Sequence, residues 1–151
     1  MLMLVASVAV AASAMAVDLP KDVTTADVCA VVPGAEVAKA LGGTLTEALL
    51  VRPGGDHARC RYTVKTEAGG PAVVIVWLHA ADDYDILHPL VESPTSPAAG
   101  LGDAAFVTVD PDTARHRAFV LVRGVATVEV TGPTATGVLA VASAAVHLLR
   151  P

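Results

Sequence analysis

Two kinds of hydrophobic pattern alternate along the chain, and together they predict helices packed on a sheet. Apolar and polar side chains alternate over residues 60–65 (CRYTVK), as in a strand with one buried face. The run 72–80 (AVVIVWLHA) is apolar at almost every position, which favours a central strand covered on both faces. Residues 134–149 are apolar or small on every side. We therefore expect a final helix that is largely buried against the sheet.

Cap and turn signals place the other elements. Thr24 and Thr25 can cap a short helix, and Pro33 suits the first turn of a second helix that ends at Gly42. A third helix follows Asp82 and is interrupted near Pro89. Strand patterns occupy 44–51, 57–66, 72–80, 104–109, 117–123 and 125–131, and the Pro- and Gly-rich stretch 94–103 predicts a loop. The fold class predicted is α+β: an antiparallel sheet of about six strands with helices packed on it, in the order α-βββ-α-βββ-α.

Length and composition fit one domain with a core of small branched side chains. The chain has 151 residues, of which 54% are hydrophobic and 17% charged, so intrinsic disorder is excluded. Aromatic residues make up only 3%, which leaves few platforms on which bases or sugars could stack. With 10 basic and 15 acidic residues the formal net charge is -5. Such a balance argues against nucleic acid as a partner.

The N-terminal stretch has the pattern of an export signal. Residues 1–16 are apolar or small, carry no charge, and end in Ala14-Met15-Ala16. A bilayer needs about twenty apolar residues, more than this stretch offers. We expect a signal peptide at 1–16, a single domain at 17–151 without a transmembrane helix, and a secreted or periplasmic location. The alternative is a buried N-terminal helix or strand of a cytosolic domain, since the stretch lacks the usual basic residue.

The chain has two cysteines, and export changes what they indicate. In an oxidising compartment a Cys29–Cys60 disulfide is the simplest interpretation. Cys29 has two alternatives. A lipid anchor requires a cysteine directly after the leader, and Cys29 lies well beyond it. A reactive thiol would benefit from the first turn of a helix, but Cys29 has no second cysteine or histidine nearby.

Several segments share a recognisable arrangement: ADVCAVVPGAEVAKALGG, ARCRYTV, GLGDAAFV and VLVRGVATVEV, followed by an Ala- and Leu-rich closing helix. This arrangement resembles a family of exported proteins and lipoproteins of unknown function from actinobacteria and other high-GC bacteria. The matching positions are Asp27, Cys29, Pro33, Leu41, Gly42, Cys60 and Tyr62. The resemblance covers most of the mature chain. It implies an α+β sandwich related in shape to PsbP-like domains, and it supports the Cys29–Cys60 bridge. The chain departs from many members in lacking a lipobox cysteine.

The densest group of polar side chains lies in HAADDYDILH, residues 79–88. Two imidazoles and three carboxylates in ten positions include His79, Asp83 and His88, a ligand set for zinc or another divalent cation. The spacing matches neither HExxH nor an EF-hand loop. The alternative is structural: Asp82 and Asp83 cap a helix, His79 ends a strand, and His88 precedes a helix break.

Arginines are frequent around the predicted strands and turns, at positions 52, 59, 61, 115, 117 and 123. Neighbouring strands that place several of them on one face would hold a carboxylate or an anionic envelope polymer. The candidate anion-binding or ligand-binding residues are Arg59, Arg61, Arg117 and Arg123. The alternative is a solvated face with cross-strand partners such as Glu67 or Glu129.

Catalytic motifs are missing from the sequence. The chain contains no GxSxG, and the glycines of GLGDAAF precede a strand without the Lys-Ser/Thr of a phosphate-binding loop. We therefore expect no catalytic residues and no cofactor. The function predicted is an exported non-enzymatic domain that binds a protein partner or a small ligand in the cell envelope. The alternative is a metal-binding protein or metal-dependent hydrolase that uses His79, Asp83 and His88.

Overall fold

The computed structural model of the chain describes residues 18–52 and 57–150, and the predicted signal peptide lies outside them. The helices in this part of the chain are α1 (Val28–Val31), α2 (Gly34–Ala40), α3 (Asp83–Leu90) and α4 (Ala135–Leu149). The strands are β1 (Gly43–Val51), β2 (Arg59–Thr66), β3 (Pro71–His79), β4 (Ser96–Pro97), β5 (Ala104–Val109), β6 (His116–Val122) and β7 (Ala126–Gly132). The elements follow the predicted order, with one additional strand.

All seven strands belong to one sheet in the order β1-β2-β3-β7-β6-β5-β4. Every neighbouring pair is antiparallel. The predicted α+β fold with an antiparallel sheet is therefore confirmed. Because the chain passes through α3, β4, β5 and β6 before it returns as β7, β7 lies beside β3 in the middle of the sheet.

Aspartates cap the first two helical turns of the described chain, whereas the sequence pattern predicts threonines as the capping residues. The Asp22 carboxylate accepts a hydrogen bond from the Thr24 N–H and begins a 3₁₀ turn at Val23–Thr25. The Asp27 carboxylate accepts one from the Ala30 N–H and begins α1. A short acidic side chain satisfies free N–H groups at a helix start as well as a hydroxyl does, so the two aspartates take the role predicted for the threonines.

One face of the sheet is packed against α1, α2 and α4. Each strand contributes alternate residues to this core, and α4 contributes one side of its surface. The fully buried residues include Cys60, Tyr62, Val64, Val74, Val76, Leu78, Val120, Val128, Val130, Val141, Ala142 and Ala145. The prediction that the last helix is largely buried holds for this side of α4, while Ser143 and His147 are exposed. None of the helices within 18–52 and 57–150 is long and apolar enough to cross a membrane.

A disulfide and a buried hydroxyl tie the first helix to β2. Cys29 and Cys60 form the predicted disulfide, with Cα atoms 5.1 Å apart. Two positions further along β2, the Tyr62 hydroxyl donates to the Val32 carbonyl oxygen at 2.5 Å and lies 3.3 Å from that of Val28. Burial raises the pKa of Tyr62 far above its ordinary value. The hydroxyl therefore stays protonated and keeps its hydrogen bond.

The variant Tyr62→Phe is expected to lose about 1–2 kcal/mol of unfolding free energy, because it leaves a buried carbonyl without its donor. Denaturant unfolding measures the loss. Tyr84→Phe is the matched control, since the Tyr84 ring is buried but its hydroxyl has no hydrogen-bond partner among the described residues. Equal effects of the two substitutions would contradict the role assigned to the Tyr62 hydroxyl.

Two predictions about the sheet are wrong in part. The stretch predicted as a loop contains β4, which pairs with Val107 and Phe106 on the outer edge of β5. The run 72–80 was predicted to be covered on both faces, yet its side chains at 73, 75 and 77 are only partly buried. Helices cover the first face of β3, and the second face stays accessible.

Candidate functional site

The sheet face opposite α1, α2 and α4 brings together side chains from six strands. We call it the open face. The strand register sets Arg59, Trp77, Glu129, Phe119 and Phe106 side by side in one row. The next row contains Leu49, Arg61, Ile75, Thr131, Arg117 and Thr108. Because side chains on one face recur every second residue, the two rows lie next to each other.

Helix α3 covers one end of the open face. Tyr84 of α3 packs with Phe106 and Phe119, whose rings stack with centroids 4.7 Å apart. The end formed by β1, β2 and β3 has no such cover in the described part of the chain. Leu49 on β1 is 46% exposed. An apolar floor of Leu49, Ile75 and Trp77 therefore stays accessible at this end.

A buried carboxylate lies at the centre of the open face. Glu129 on β7 is only 6% exposed. One carboxylate oxygen, Oε1, accepts from Arg117 Nη2 at 2.7 Å and from Nε at 3.2 Å. The other, Oε2, accepts from His79 Nε2 at 2.8 Å. Both oxygens thus have charged or polar donors, which a buried carboxylate requires.

These donors decide the protonation of Glu129. Burial acts to raise the pKa of its carboxyl group, but the hydrogen bond from His79 and the charge and hydrogen bonds of Arg117 outweigh burial. The pKa of Glu129 therefore lies below its ordinary value. The carboxylate is charged at neutral pH, and Arg117 balances its charge.

Aromatic rings and cations alternate around this carboxylate. The guanidinium carbon of Arg117 lies 4.9 Å from the centroid of the Phe119 ring, and that of Arg59 lies 5.4 Å from the Trp77 ring. The rings of Trp77 and His79 are 5.1 Å apart. A guanidinium over a ring face is attracted by the negative charge density of that face. The contacts therefore hold the arginine side chains close to the sheet surface.

A tight turn directly before β6 places Arg115 and Arg117 on the open face. The Asp110 carboxylate accepts from the N–H groups of Asp112 and Thr113, and these bonds lower its pKa. Ala114 then takes a left-handed conformation with φ 55°. The chain enters β6 directly afterwards, with Arg115 and Arg117 on the same side of the strand.

Two buried N–H groups on the open face have no acceptor among the described residues: Trp77 Nε1 and Arg115 Nε. Arg115 does anchor its guanidinium, because Nη2 donates to the Val73 carbonyl oxygen at 2.6 Å. Buried donors in proteins are almost always paired. Trp77 Nε1 and Arg115 Nε are exceptions to this rule.

Positive charge is in excess at the uncovered end of the open face. Arg59, Arg61, Lys65 and Arg115 lie on this side of the sheet. Among the described residues, the one carboxylate that pairs with these cations is Glu47, which is 4.0 Å from Arg61. Arg117 does not add to the excess because Glu129 neutralises it. A cationic surface thus stands on a chain whose formal net charge is -5.

The structure brings together three of the four candidate anion-binding arginines. Arg59, Arg61 and Arg117 share the open face. Arg123 lies instead in the turn after β6, where its backbone N–H donates to Asp103 Oδ2 at 2.7 Å. Of the partners considered from sequence, Glu129 does pair with an arginine.

The residues of the metal hypothesis have separate surroundings. His79 donates to Glu129, whereas His88 in the last turn of α3 bonds the Thr95 hydroxyl at 3.1 Å and stacks on Phe106. Asp83 is the first residue of α3. Within residues 18–52 and 57–150, no three His, Cys, Asp or Glu side chains are grouped so that they could hold a metal ion. The geometry therefore gives the metal hypothesis no support.

A cavity of about 450 Å³ lies at the β5 edge of the sheet, between β5 and the start of α4. Its walls include Val107, Val109 and Val138, and Arg117 borders it. The volume falls in the range of small-molecule sites. Its one guanidinium is already paired with Glu129 and also lies near Asp110. The free cations therefore belong to the open face and not to this cavity.

Sequence reasoning did not identify Trp77, Ile75 or Leu49 as site residues, and it included Arg115 among the frequent arginines without choosing it as a candidate. One signal was present in the run 72–80. Its odd positions end in Trp77 and His79, two side chains with a polar edge, whereas its even positions are purely aliphatic. Such a difference between the two faces of an apolar strand indicates one face that is less completely buried.

Comparison of the chain with protein-family models, with curated proteins and with solved structures finds no match. The resemblance to exported proteins of high-GC bacteria stays a prediction from the motifs.

Proposed function

We propose that this protein is a non-enzymatic binding domain that takes an acidic protein segment on the open face of its sheet. The observation that carries the proposal is the group of cations around an apolar floor. Arg59, Arg61 and Arg115 surround Ile75 and Trp77 at the end that α3 leaves uncovered. Carboxylates complement guanidinium groups in charge and geometry, and apolar side chains complement the floor.

The shape of the face favours a protein segment over a small ligand. Small molecules bind in concave sites that enclose most of their surface. The uncovered end is instead the surface of three neighbouring strands, β1, β2 and β3. An extended segment can lie across these strands with its carboxylates beside Arg59 and Arg61.

The central carboxylate supports binding in place of catalysis. Glu129 is charged and both of its oxygens are occupied by Arg117 and His79. A general base at neutral pH needs a raised pKa and a free oxygen, and this carboxylate has the opposite properties. Its pairing holds Arg117 and His79 in place beside Trp77.

We also propose that the protein acts outside the cytoplasm, as a secreted or periplasmic domain. The Cys29–Cys60 disulfide supports this location, because disulfides persist in oxidising compartments. Thiol titration of denatured protein, purified from the medium or the periplasm, tests the bridge on which this proposed location rests. We expect no free thiol, and two free thiols would contradict the proposal.

Trp77 is the only tryptophan of the chain, so its fluorescence reports on the open face directly. The probe is a synthetic peptide of alternating glutamate and leucine, and the control peptide alternates lysine and leucine. We expect the acidic peptide to change the Trp77 emission, with an affinity that falls as salt is added. The basic peptide is expected to leave the emission unchanged.

The double variant Arg59→Ala/Arg61→Ala is expected to weaken binding of the acidic peptide about tenfold or more. Lys39→Ala is the matched control, because it also removes an exposed cation but lies on α2, on the other side of the sheet. An unchanged affinity of the double variant, or equal responses to the two peptides, would refute the proposed function.

A further inference from the structure

The two edges of the sheet differ in the protection that they carry. The β4 edge is two residues long and contains Pro97. The β1 edge is nine residues long, contains no proline or lysine, and has a single charged residue, Glu47. Short strands, prolines and lysines are the usual devices that prevent an edge from pairing with another chain. β1 has one other protective feature: its register with β2 is irregular between Leu45 and Glu47, and such bulges also hinder edge pairing.

We propose that β1 pairs with β1 of a second copy of this chain, antiparallel and related by a twofold axis at Leu49. In a closed twofold pair the same segment serves both copies, so the strand must be complementary to itself. The register centred on Leu49 places the two Leu49 side chains together, opposes Ala48 to Leu50, and opposes Glu47 to Val51. On the face of the sheet that packs against the helices, Leu50 of each copy thus meets the smaller Ala48 of the other copy. A register centred on Glu47 would oppose two carboxylates, which is unfavourable.

Charge complementarity favours the same register. Val51 is paired with Arg59 within its own sheet. In the twofold pair, Glu47 of the second copy therefore stands two strand spacings, about 10 Å, from Arg59. An arginine and a glutamate together span that distance. Arg59 has no salt bridge with any described residue, whereas Glu47 contacts Arg61 only at 4.0 Å.

The pairing joins two sheets into one and places both open faces on the same side. The pairing uses the backbone edge of β1, which the acidic partner does not need, and it shares Leu49 and Arg59 with the open face. The apolar floor at Leu49 would continue from one copy into the other. Binding of the acidic peptide and formation of the dimer are therefore measured separately.

Sedimentation equilibrium over a range of protein concentrations tests the proposal. We expect a monomer–dimer equilibrium for the wild-type chain, and Leu49→Lys is expected to raise its dissociation constant about tenfold or more. The matched control is Leu90→Lys on α3, which replaces a leucine that is 68% exposed. This control is expected to dimerise like the wild type. Circular dichroism of each variant verifies that it is folded.

A second measurement tests the register. Mild oxidation is expected to crosslink the Leu49→Cys variant across the twofold axis, and to leave the Leu90→Cys variant uncrosslinked. A wild-type chain that remains monomeric at every concentration would overturn the proposal. A dimer that persists in Leu49→Lys, or that yields no crosslink through Leu49→Cys, would overturn it as well.

Discussion

Replacing both Cys29 and Cys60 with alanine is expected to lower the free energy of unfolding by about 3–4 kcal/mol. The two cysteines are 31 positions apart. A crosslink across such a segment removes many conformations of the unfolded chain, and the variant regains them. Denaturant unfolding at a fixed temperature measures the difference between variant and wild type.

A reductant provides the control for this prediction. It is expected to lower the stability of the wild-type protein to that of the double variant, and to leave the double variant unchanged. A loss below about 1 kcal/mol would show that the bridge contributes little beyond the contacts around it. A further loss of stability in the reduced double variant would indicate an effect unrelated to the disulfide.

The substitution Arg117→Met is expected to destabilise the protein by about 3 kcal/mol at neutral pH. It keeps the aliphatic part of the side chain but removes the cation that balances Glu129. A buried charge that loses its partner typically costs about 3–5 kcal/mol, and we expect the lower end because the Arg117 side chain is itself 31% exposed. Arg61→Met is the matched control on the same face, since Arg61 is 47% exposed and only 4.0 Å from its carboxylate. Its loss is expected to stay below about 1 kcal/mol.

The pH dependence of stability tests the same ion pair. The pKa of Glu129 is lower in the folded protein than in the unfolded chain. Its contribution to stability is therefore fully present above the unfolded pKa, about 4.3, and is lost as the pH falls through the folded value. We expect the penalty of Arg117→Met to be largest at neutral pH and to shrink in acid, where Glu129 becomes protonated. A penalty that does not vary with pH would contradict the assigned pairing.

Local patterns were sufficient to predict the helices, the long strands and the core side of β2. Cys60, Tyr62 and Val64 are fully buried as their alternation with polar residues predicts. Val28 and Val37 of the opening helices also lie in the core. The disulfide followed from the count of cysteines. Each of these features depends on neighbours in the sequence or on composition.

The surroundings of Glu129 depend instead on the order of strands in the sheet. Glu129 meets His79 and Arg117 only because β7 lies between β3 and β6. Sequence periodicity predicts which side chains of one strand share a face, but it does not predict which strand is the neighbour of that strand in the sheet. For the same reason Arg123 was grouped with Arg117, although six positions along β6 separate it from the site. The sequence does not predict β4, because a strand of two residues, one of them proline, is too short to show an alternating pattern.

Tyr62 and the two cysteines imply an order of events when the reduced chain folds. The Tyr62 hydroxyl bonds the end of α1 to β2 without any covalent link. This contact does not depend on the disulfide, so it would bring the two thiols together in the reduced chain. Cys29 is only partly buried, whereas Cys60 is completely buried. With a disulfide oxidant, the accessible Cys29 thiolate would attack first, release one thiolate and form a mixed disulfide; the Cys60 thiolate would then attack the Cys29 sulfur and release the second thiolate.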